Sequence, residues 1–295
     1  MACRMRNTLF VGVLLVVTVV GCAPTVQEPV AADPEPVSVP RREIRRPYPV
    51  DFRNFSPVDK WLAEAGPVID DAEGTLNPYV LHVIKAYPPP ETGLYPYHCD
   101  FKLKEYDIYN GVTQDMWYQG RVVAKAYPDG SRCSYCCGLT FEVFIRAMKL
   151  RNEQAGLPID DFNGMDFYDL FNLLQFWYIE GQGDSPQRGI VAYGLGQAID
   201  NFEDARPGDF CDFSRSTGSG HSVIFVDWVR DADGKITGMK YFSANTSGVG
   251  YLTEYFSDSG GKLLREWTRL ARVGPISEYR PFDRQTIPRR KAYAP

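Results

Sequence analysis

The feature that most constrains the fold is a change of pattern at the Pro-Gly pair of residues 207–208. Before this pair, apolar residues recur at helical spacing, most clearly along one face of residues 136–151. After it, the chain becomes a series of short apolar runs bounded by turns, of which residues 221–230 form a nearly continuous one. Such a run predicts a strand that is buried on both faces. The chain therefore predicts an α+β fold, with helices first and an antiparallel sheet afterwards.

The same patterns predict the other elements. The Asp-Ala-Asp-Gly sequence at residues 231–234 is a turn signal, so residues 235–244 are expected to return as a strand beside residues 221–230. Further helices are predicted at residues 57–63, 79–84, 167–180 and 188–199, and further strands at residues 106–109, 121–126, 209–213, 248–255 and 264–271.

Residues 1–21 predict a signal peptide instead of a part of the fold. Arg4 and Arg6 precede an apolar run over residues 8–20, and a Gly-Cys pair closes the run at Cys22. This arrangement resembles a bacterial lipoprotein signal, which implies that Cys22 becomes the lipidated first residue of the mature protein. The alternative is a single membrane anchor, but the run falls short of the roughly 20 residues that a spanning helix needs.

Residues 22–50 predict an extended tether that carries the lipid anchor. Seven prolines are spread through this segment without apolar periodicity, as is typical of a semi-rigid spacer. The basic residues 41–46 are interpreted as solvated linker charges, with a lipid-headgroup site as the alternative. Ala23 follows Cys22, and in lipoproteins the lack of an aspartate there implies the outer membrane, facing the periplasm. Residues 51–295 are expected to form the α+β domain, which includes an N-terminal accessory segment.

The net charge argues against nucleic acid as a partner, and the cysteine spacing argues against a bound metal. Removal of residues 1–21 takes away two arginines and no acidic residue, which changes the formal net charge from −5 to −7. A mildly acidic protein has no broad basic face, so no nucleic acid is expected as a partner. Cys133, Cys136 and Cys137 have metal-like spacing, but no second cysteine or histidine pair matches it, so neither a metal nor another cofactor is expected.

Cys136 and His221 are the candidate nucleophile and base. Cys136 opens the predicted central helix, where the helix dipole lowers the pKa of a thiol and free backbone N–H groups can hold an oxyanion. His221 begins the apolar strand, which is a costly place for a polar ring that has no task. A thiol and an imidazole brought together by folding make a cysteine nucleophile with its base.

The neighbouring Cys137 is the alternative nucleophile. It lies on the apolar row of the helix and is better interpreted as a buried structural thiol. In an exported chain either cysteine could instead be disulfide-bonded, with Cys99, Cys133 and Cys211 as partners. Apart from the lipidated cysteine, the mature chain has five cysteines, an odd number that leaves one thiol beside up to two disulfides.

Three short motifs follow one another along the chain from the predicted start of the central helix onwards. They are Cys-Cys-Gly-Leu at residues 136–139, Pro-Gly-Asp at residues 207–209 and Gly-His at residues 220–221. Over residues 130–250 they resemble the papain-like cell-wall peptidases of the NlpC type, in which Cys-Ser-Gly-Leu opens the central helix. The resemblance implies a papain-like domain, with the central helix packed on an antiparallel sheet and a helical insertion before the histidine. Tyr135 departs from the family, which often has aspartate there.

The resemblance also implies a third member of the site. Ser243 and Asn245 share a face of the returning strand. Asn245 can accept a hydrogen bond from the imidazole, as asparagine does in papain-like enzymes, whereas the NlpC type more often has histidine and Ser243 stays an alternative. Tyr118 and Gln119 are candidates for lining the substrate pocket or assisting the oxyanion, and Gly138 is expected to leave one side of the thiol open for substrate.

Two classes of function remain at this stage. The resemblance implies a cysteine-dependent amide hydrolase that acts on peptidoglycan stem peptides, with a cell-wall peptide or glycopeptide as its partner and a membrane attachment at Cys22. Acyl transfer to an amine would use the same three residues. The alternative is a non-catalytic envelope lipoprotein that keeps the fold to bind glycan, peptide or a partner protein. The insertion and Tyr135 favour this alternative.

Overall fold

The computed structural model describes residues 69–97, 109–178 and 185–288, which combine helices with antiparallel strands. The predicted signal peptide, tether and helix at residues 57–63 lie outside the described residues, as does most of the predicted strand at residues 106–109. None of the helices in the described ranges is long and apolar enough to cross a membrane.

Four helices and eight strands make up the described part of the chain. The helices are α1 (Asn77–Lys85), α2 (Cys136–Gln154), α3 (Phe167–Tyr178) and α4 (Pro186–Ala192). The strands are β1 (Met116–Tyr118), β2 (Arg121–Ala124), β3 (Gly196–Ile199), β4 (Phe210–Arg215), β5 (Gly220–Arg230), β6 (Ile236–Asn245), β7 (Gly248–Tyr255) and β8 (Leu263–Val273).

Six of the strands form one sheet in the order β3-β8-β4-β5-β6-β7, in which every neighbouring pair is antiparallel. Strands β1 and β2 form a separate hairpin. The predicted hairpin of β5 and β6 is confirmed, with Ile224 opposite Phe242. The α+β order is therefore confirmed, since α1 to α4 precede the long strands of the sheet.

The helix predicted at residues 188–199 is wrong in its second half. Helix α4 ends at Ala192, Gly194 adopts a left-handed φ of 64°, and residues from Gly196 onward pair with β8 as strand β3. A Cβ atom at Gly196 would lie 1.9 Å from the backbone oxygen of Arg272 on β8. Glycine is therefore required for this close pairing, a contact with a distant residue that local helical spacing does not reveal.

The central helix α2 is buried on nearly all sides, not only on the predicted apolar face. Every residue from Cys136 to Met148 is buried, because α2 lies against α1, α3 and the strands β5 and β6. The fully buried Glu142 accepts hydrogen bonds from Thr113, Tyr87 and Arg146. These donors satisfy a charge that would otherwise be costly to bury at the centre of the fold.

Both faces of the sheet are covered by apolar clusters. On the helix side, Ile224 and Phe242 join the core that packs around α2. On the opposite side, Phe213, Phe225 and Tyr241 belong to a second cluster. The first half of β5 is thus buried on both faces, as its apolar run predicts, and this fixes the position of the strand beside the start of α2.

Candidate active site

The start of α2 presents backbone N–H groups that no side chain caps in the described part of the chain. Tyr135 is the N-cap residue, with an extended backbone at φ −137° and ψ 170°. The first bond within the helix runs from the Leu139 N–H to the Tyr135 carbonyl, 2.9 Å away. The N–H groups that precede Leu139 in the first turn have no acceptor within the helix, and they belong to the same turn as the Cys136 thiol.

Strands β5 and β6 bring His221 and Asn245 together. The ring Nε2 of His221 lies 3.0 Å from Oδ1 of Asn245, and each residue is only 7% exposed. Because an amide oxygen only accepts, Nε2 carries the hydrogen in this bond and Nδ1 is left to act on the thiol. The Nδ2 group of Asn245 donates to the Ser243 carbonyl over 2.9 Å, which fixes the orientation of the amide.

Ser243, the alternative third member, forms its hydrogen bond with the backbone and not with the imidazole. Its fully buried Oγ donates to the backbone oxygen of Ser222 over 2.8 Å. The structure therefore brings Asn245, and not Ser243, to the imidazole. The ring is further held by Phe213 and Tyr241, whose centroids lie 5.7 and 5.6 Å from that of His221 in edge-to-face contacts.

Cys136 has the electrostatic surroundings of a reactive thiol. A hydrogen bond from Cys137, whose Sγ lies 3.7 Å away, lowers the pKa of Cys136, while burial opposes this effect. The positive charge of His221, a hydrogen bond from its ring and one from the Ser222 backbone lower it further, and the pKa falls well below the usual value. The thiolate form is therefore favoured at Cys136.

The remaining described cysteines have other surroundings. None of Cys133, Cys136, Cys137 and Cys211 forms a disulfide, and Cys99 lies outside the described residues. Burial raises the pKa of Cys211 well above the usual value, and the nearby charges of Asp212 and Asp209 add to this. In the described ranges no group of three or more histidine, cysteine, aspartate or glutamate side chains could hold a metal ion.

Gly138 does not leave an open side for substrate, so that prediction is wrong. The backbone of Asn110 and Gly111 crosses the helix at this point, and the Gly111 carbonyl accepts a hydrogen bond from the Tyr135 N–H over 3.2 Å. A Cβ atom at Gly138 would lie 2.2 Å from the Gly111 oxygen and 2.4 Å from the Asn110 oxygen. Glycine is needed here because another backbone packs against the first turn.

Tyr118 and Gln119 form hydrogen bonds away from the thiol, and the prediction that they line the substrate pocket or assist the oxyanion stays a prediction. Tyr118 is fully buried, and its hydroxyl donates to the Met165 carbonyl and accepts from the Phe162 N–H. The Nε2 group of Gln119 donates to the carbonyls of Asp160 and Met165. Both side chains therefore hold the loop that follows α2.

Thr140 and Ser222 are residues that sequence reasoning missed. The two hydroxyl oxygens lie 2.8 Å apart, and Thr140 Oγ1 also donates towards the carbonyls of Cys136 and Cys137 and accepts from the Trp177 indole. These bonds tie the first turns of α2, which carry Cys136, to Ser222 of β5, the residue next to His221. The available signal was a hydroxyl residue within each of two apolar segments, where a buried polar group needs a partner.

The arrangement combines an acidified thiol, an imidazole with one nitrogen held by an amide, and uncapped N–H groups at a helix start. These are the parts needed for nucleophilic attack, proton transfer and oxyanion stabilisation in acyl transfer. Comparisons with protein-family models, curated proteins and solved structures found no match to the chain.

Proposed function

We propose that this protein is a cysteine-dependent amide hydrolase with a papain-like domain of the NlpC type. The observation that carries the proposal is the 3.0 Å contact between His221 Nε2 and Asn245 Oδ1, beside a thiol whose pKa is lowered partly by that same histidine. Cys136 is the nucleophile in this proposal. Cys137 supports it through the sulfur–sulfur contact of 3.7 Å.

The chemistry follows from these positions. The Cys136 thiolate attacks the amide carbonyl carbon, and the N–H groups of the first helical turn hold the resulting oxyanion. His221, as imidazolium, gives its proton to the leaving amine, and the carbon–nitrogen bond breaks to leave a thioester. Water then attacks the thioester after His221 takes one of its protons, which releases the carboxylate and restores the thiolate. Asn245 holds the ring throughout.

The substrate class and the location come from the sequence motifs. The order of the motifs at residues 136–139, 207–209 and 220–221 supports peptidoglycan stem peptides as the substrate. The Gly-Cys pair that ends the apolar run supports lipid attachment at Cys22 and a place on the outer membrane, facing the periplasm. Transfer of the acyl group to an amine instead of water uses the same residues, so product analysis is part of the test.

The test measures thiol reactivity and activity together. The folded protein is alkylated with iodoacetamide from pH 4 to pH 10, the labelled cysteine is located by mass spectrometry, and purified peptidoglycan is digested in parallel. We expect Cys136 to react at pH values well below the usual thiol pKa of about 8.5. Cys136→Ala should abolish digestion, whereas Cys137→Ala keeps the nucleophile and removes only its hydrogen-bond donor, so digestion should slow without being abolished. A folded Cys136→Ala variant with full activity would falsify the proposal.

A second function is favoured by one observation. Cys136 and His221 are only 8% and 7% exposed, and the Asn110–Gly111 backbone covers the first turn of the helix. A non-catalytic envelope lipoprotein that binds glycan, peptide or a partner protein would tolerate such cover. Failure of Cys136 to react with iodoacetamide at any pH, in protein that binds but does not digest peptidoglycan, would favour this function.

A further inference from the structure

Asn245 is neutral, so it can orient the imidazole of His221 but cannot balance its positive charge. A carboxylate lies close by on the adjacent strand. The Tyr241 ring packs against His221 with a centroid distance of 5.6 Å, and the Tyr241 hydroxyl donates to Glu254 Oε1 over 2.5 Å. Glu254, on β7, thus reaches the histidine side of the sheet through a side chain that contacts the ring itself.

Glu254 is held as a charged group. Arg215 donates hydrogen bonds to the carboxylate from two nitrogens, its Nε at 2.8 Å and its Nη2 at a shorter distance. Burial acts to raise the pKa of Glu254, but hydrogen bonds from Arg215 and Tyr241 and the positive charges of Arg215 and His221 together lower it. The positive charge of His221 is therefore one of the causes that lower the pKa of Glu254. By the same interaction, the Glu254 carboxylate stabilises the charged imidazole.

We propose that Glu254 is a positioning residue that acts through His221, where its carboxylate favours the imidazolium form and thereby the thiolate of Cys136. This inference rests on the proposed function, because it concerns the same pair. Arg215 has two opposed effects in this arrangement. It fixes the carboxylate in place, and its own positive charge weakens the negative field that Glu254 exerts on the imidazole.

Within the described ranges, the charged residues on the strands around His221 are otherwise paired in register or exposed. On the flanking strands, Asp212 of β4 is the register partner of Arg269 of β8. Lys240 of β6 is exposed, and the first turn of α2 holds no acidic residue. The pair formed by Glu254 and Arg215 therefore offers two substitutions whose effects on the imidazole have opposite signs.

The experiment uses the full chain and needs no substrate. The chain has three histidines, so the ring protons of His221 can be assigned by NMR with a His221→Asn variant and titrated against pH. We expect Glu254→Gln to move the titration midpoint of the ring down by about half a pH unit and Arg215→Met to move it up by a similar amount. At a pH below the midpoint of the Cys136 alkylation profile, the rate of Cys136 alkylation should fall about threefold in Glu254→Gln.

Two controls separate charge from structure. Glu254→Asp keeps the charge and should restore the wild-type midpoint. Glu203→Gln removes a carboxylate that pairs with Arg230 at the far end of β5, and it should leave the midpoint unchanged. Equal midpoints in all variants, or shifts of one sign in both Glu254→Gln and Arg215→Met, would overturn the inference. If instead wild-type Cys136 reacts only as an ordinary thiol, it is the proposed function that fails.

Discussion

Substitution of Gly138 by alanine tests how the first turn of α2 is held. The added Cβ would meet three backbone atoms at 2.2 to 2.4 Å, namely the carbonyl carbon and oxygen of Gly111 and the oxygen of Asn110. Ordinary contact begins at 3.4 Å, so the loop must retreat by about 1 Å from the helix. That movement would stretch the 3.2 Å hydrogen bond from the Tyr135 N–H to the Gly111 carbonyl.

The expected change in the free energy of unfolding is the sum of three contributions of opposite sign. Alanine favours a helix over glycine by about 1 kcal/mol. Overpacking against atoms that cannot rotate away costs about 1–3 kcal/mol, and a weakened buried hydrogen bond costs about 1 kcal/mol more. We therefore expect Gly138→Ala to lower the free energy of unfolding by about 2 kcal/mol. Alkylation of Cys136 should also change, because the cover over the first turn is displaced.

Gly189→Ala is the matched control for this substitution. Gly189 also lies within a helix, but its added Cβ would meet the terminal Cδ1 of Leu173 at 2.6 Å, and that side chain can rotate. We expect a change of no more than about 1 kcal/mol in the free energy of unfolding. Denaturant unfolding followed by tryptophan fluorescence measures both variants. A Gly138→Ala protein as stable as wild type, with unchanged alkylation, would refute the reasoning.

Three further predictions concern residues around the site and the fold. At a pH below the midpoint of the Cys136 alkylation profile, Asn245→Ala should slow alkylation about tenfold. Ser243→Ala should leave that rate unchanged and lower the free energy of unfolding by about 1 kcal/mol, and equal rates in the two variants would contradict the assignment. Asp209→Ala should destabilise the protein by about 3–5 kcal/mol in denaturant unfolding, because it leaves the buried guanidinium of Arg272 without its carboxylate. Tyr118→Phe should lower the free energy of unfolding by about 1–3 kcal/mol without changing alkylation; a changed alkylation rate would place this ring at the site after all.

The Pro-Gly-Asp motif illustrates what the sequence could and could not indicate. It marks the start of the sheet, as predicted, because Pro-Gly pairs end helices and β4 begins at Phe210. The sequence did not reveal that Asp209 is fully buried. Its carboxylate binds Arg272 through two nitrogens and also accepts from Asn77 and from the Arg206 N–H. Those partners come from three separate parts of the chain.

Element types were predictable where local pattern and tertiary packing agree. The central helix and the hairpin of β5 and β6 have strong periodicity or apolar runs, and both occur where they were expected. The helix prediction was wrong for residues 196–199 because the contact that decides their structure is with a distant strand. Gly196 approaches Arg272 of β8, more than seventy residues away. Helical spacing carries no information about such a partner.

By itself, the sequence determined which residues could be a nucleophile and a base, because a thiol at a helix start and a histidine in an apolar strand are local features. Only the tertiary structure decided which groups surround them. The register of β5 and β6 places Asn245 at the imidazole and turns Ser243 towards a backbone carbonyl. The crossing of Gly111 over Gly138 likewise closes a surface that a local pattern left open. Register and crossing depend on contacts between distant segments, and periodicity within one segment does not encode them.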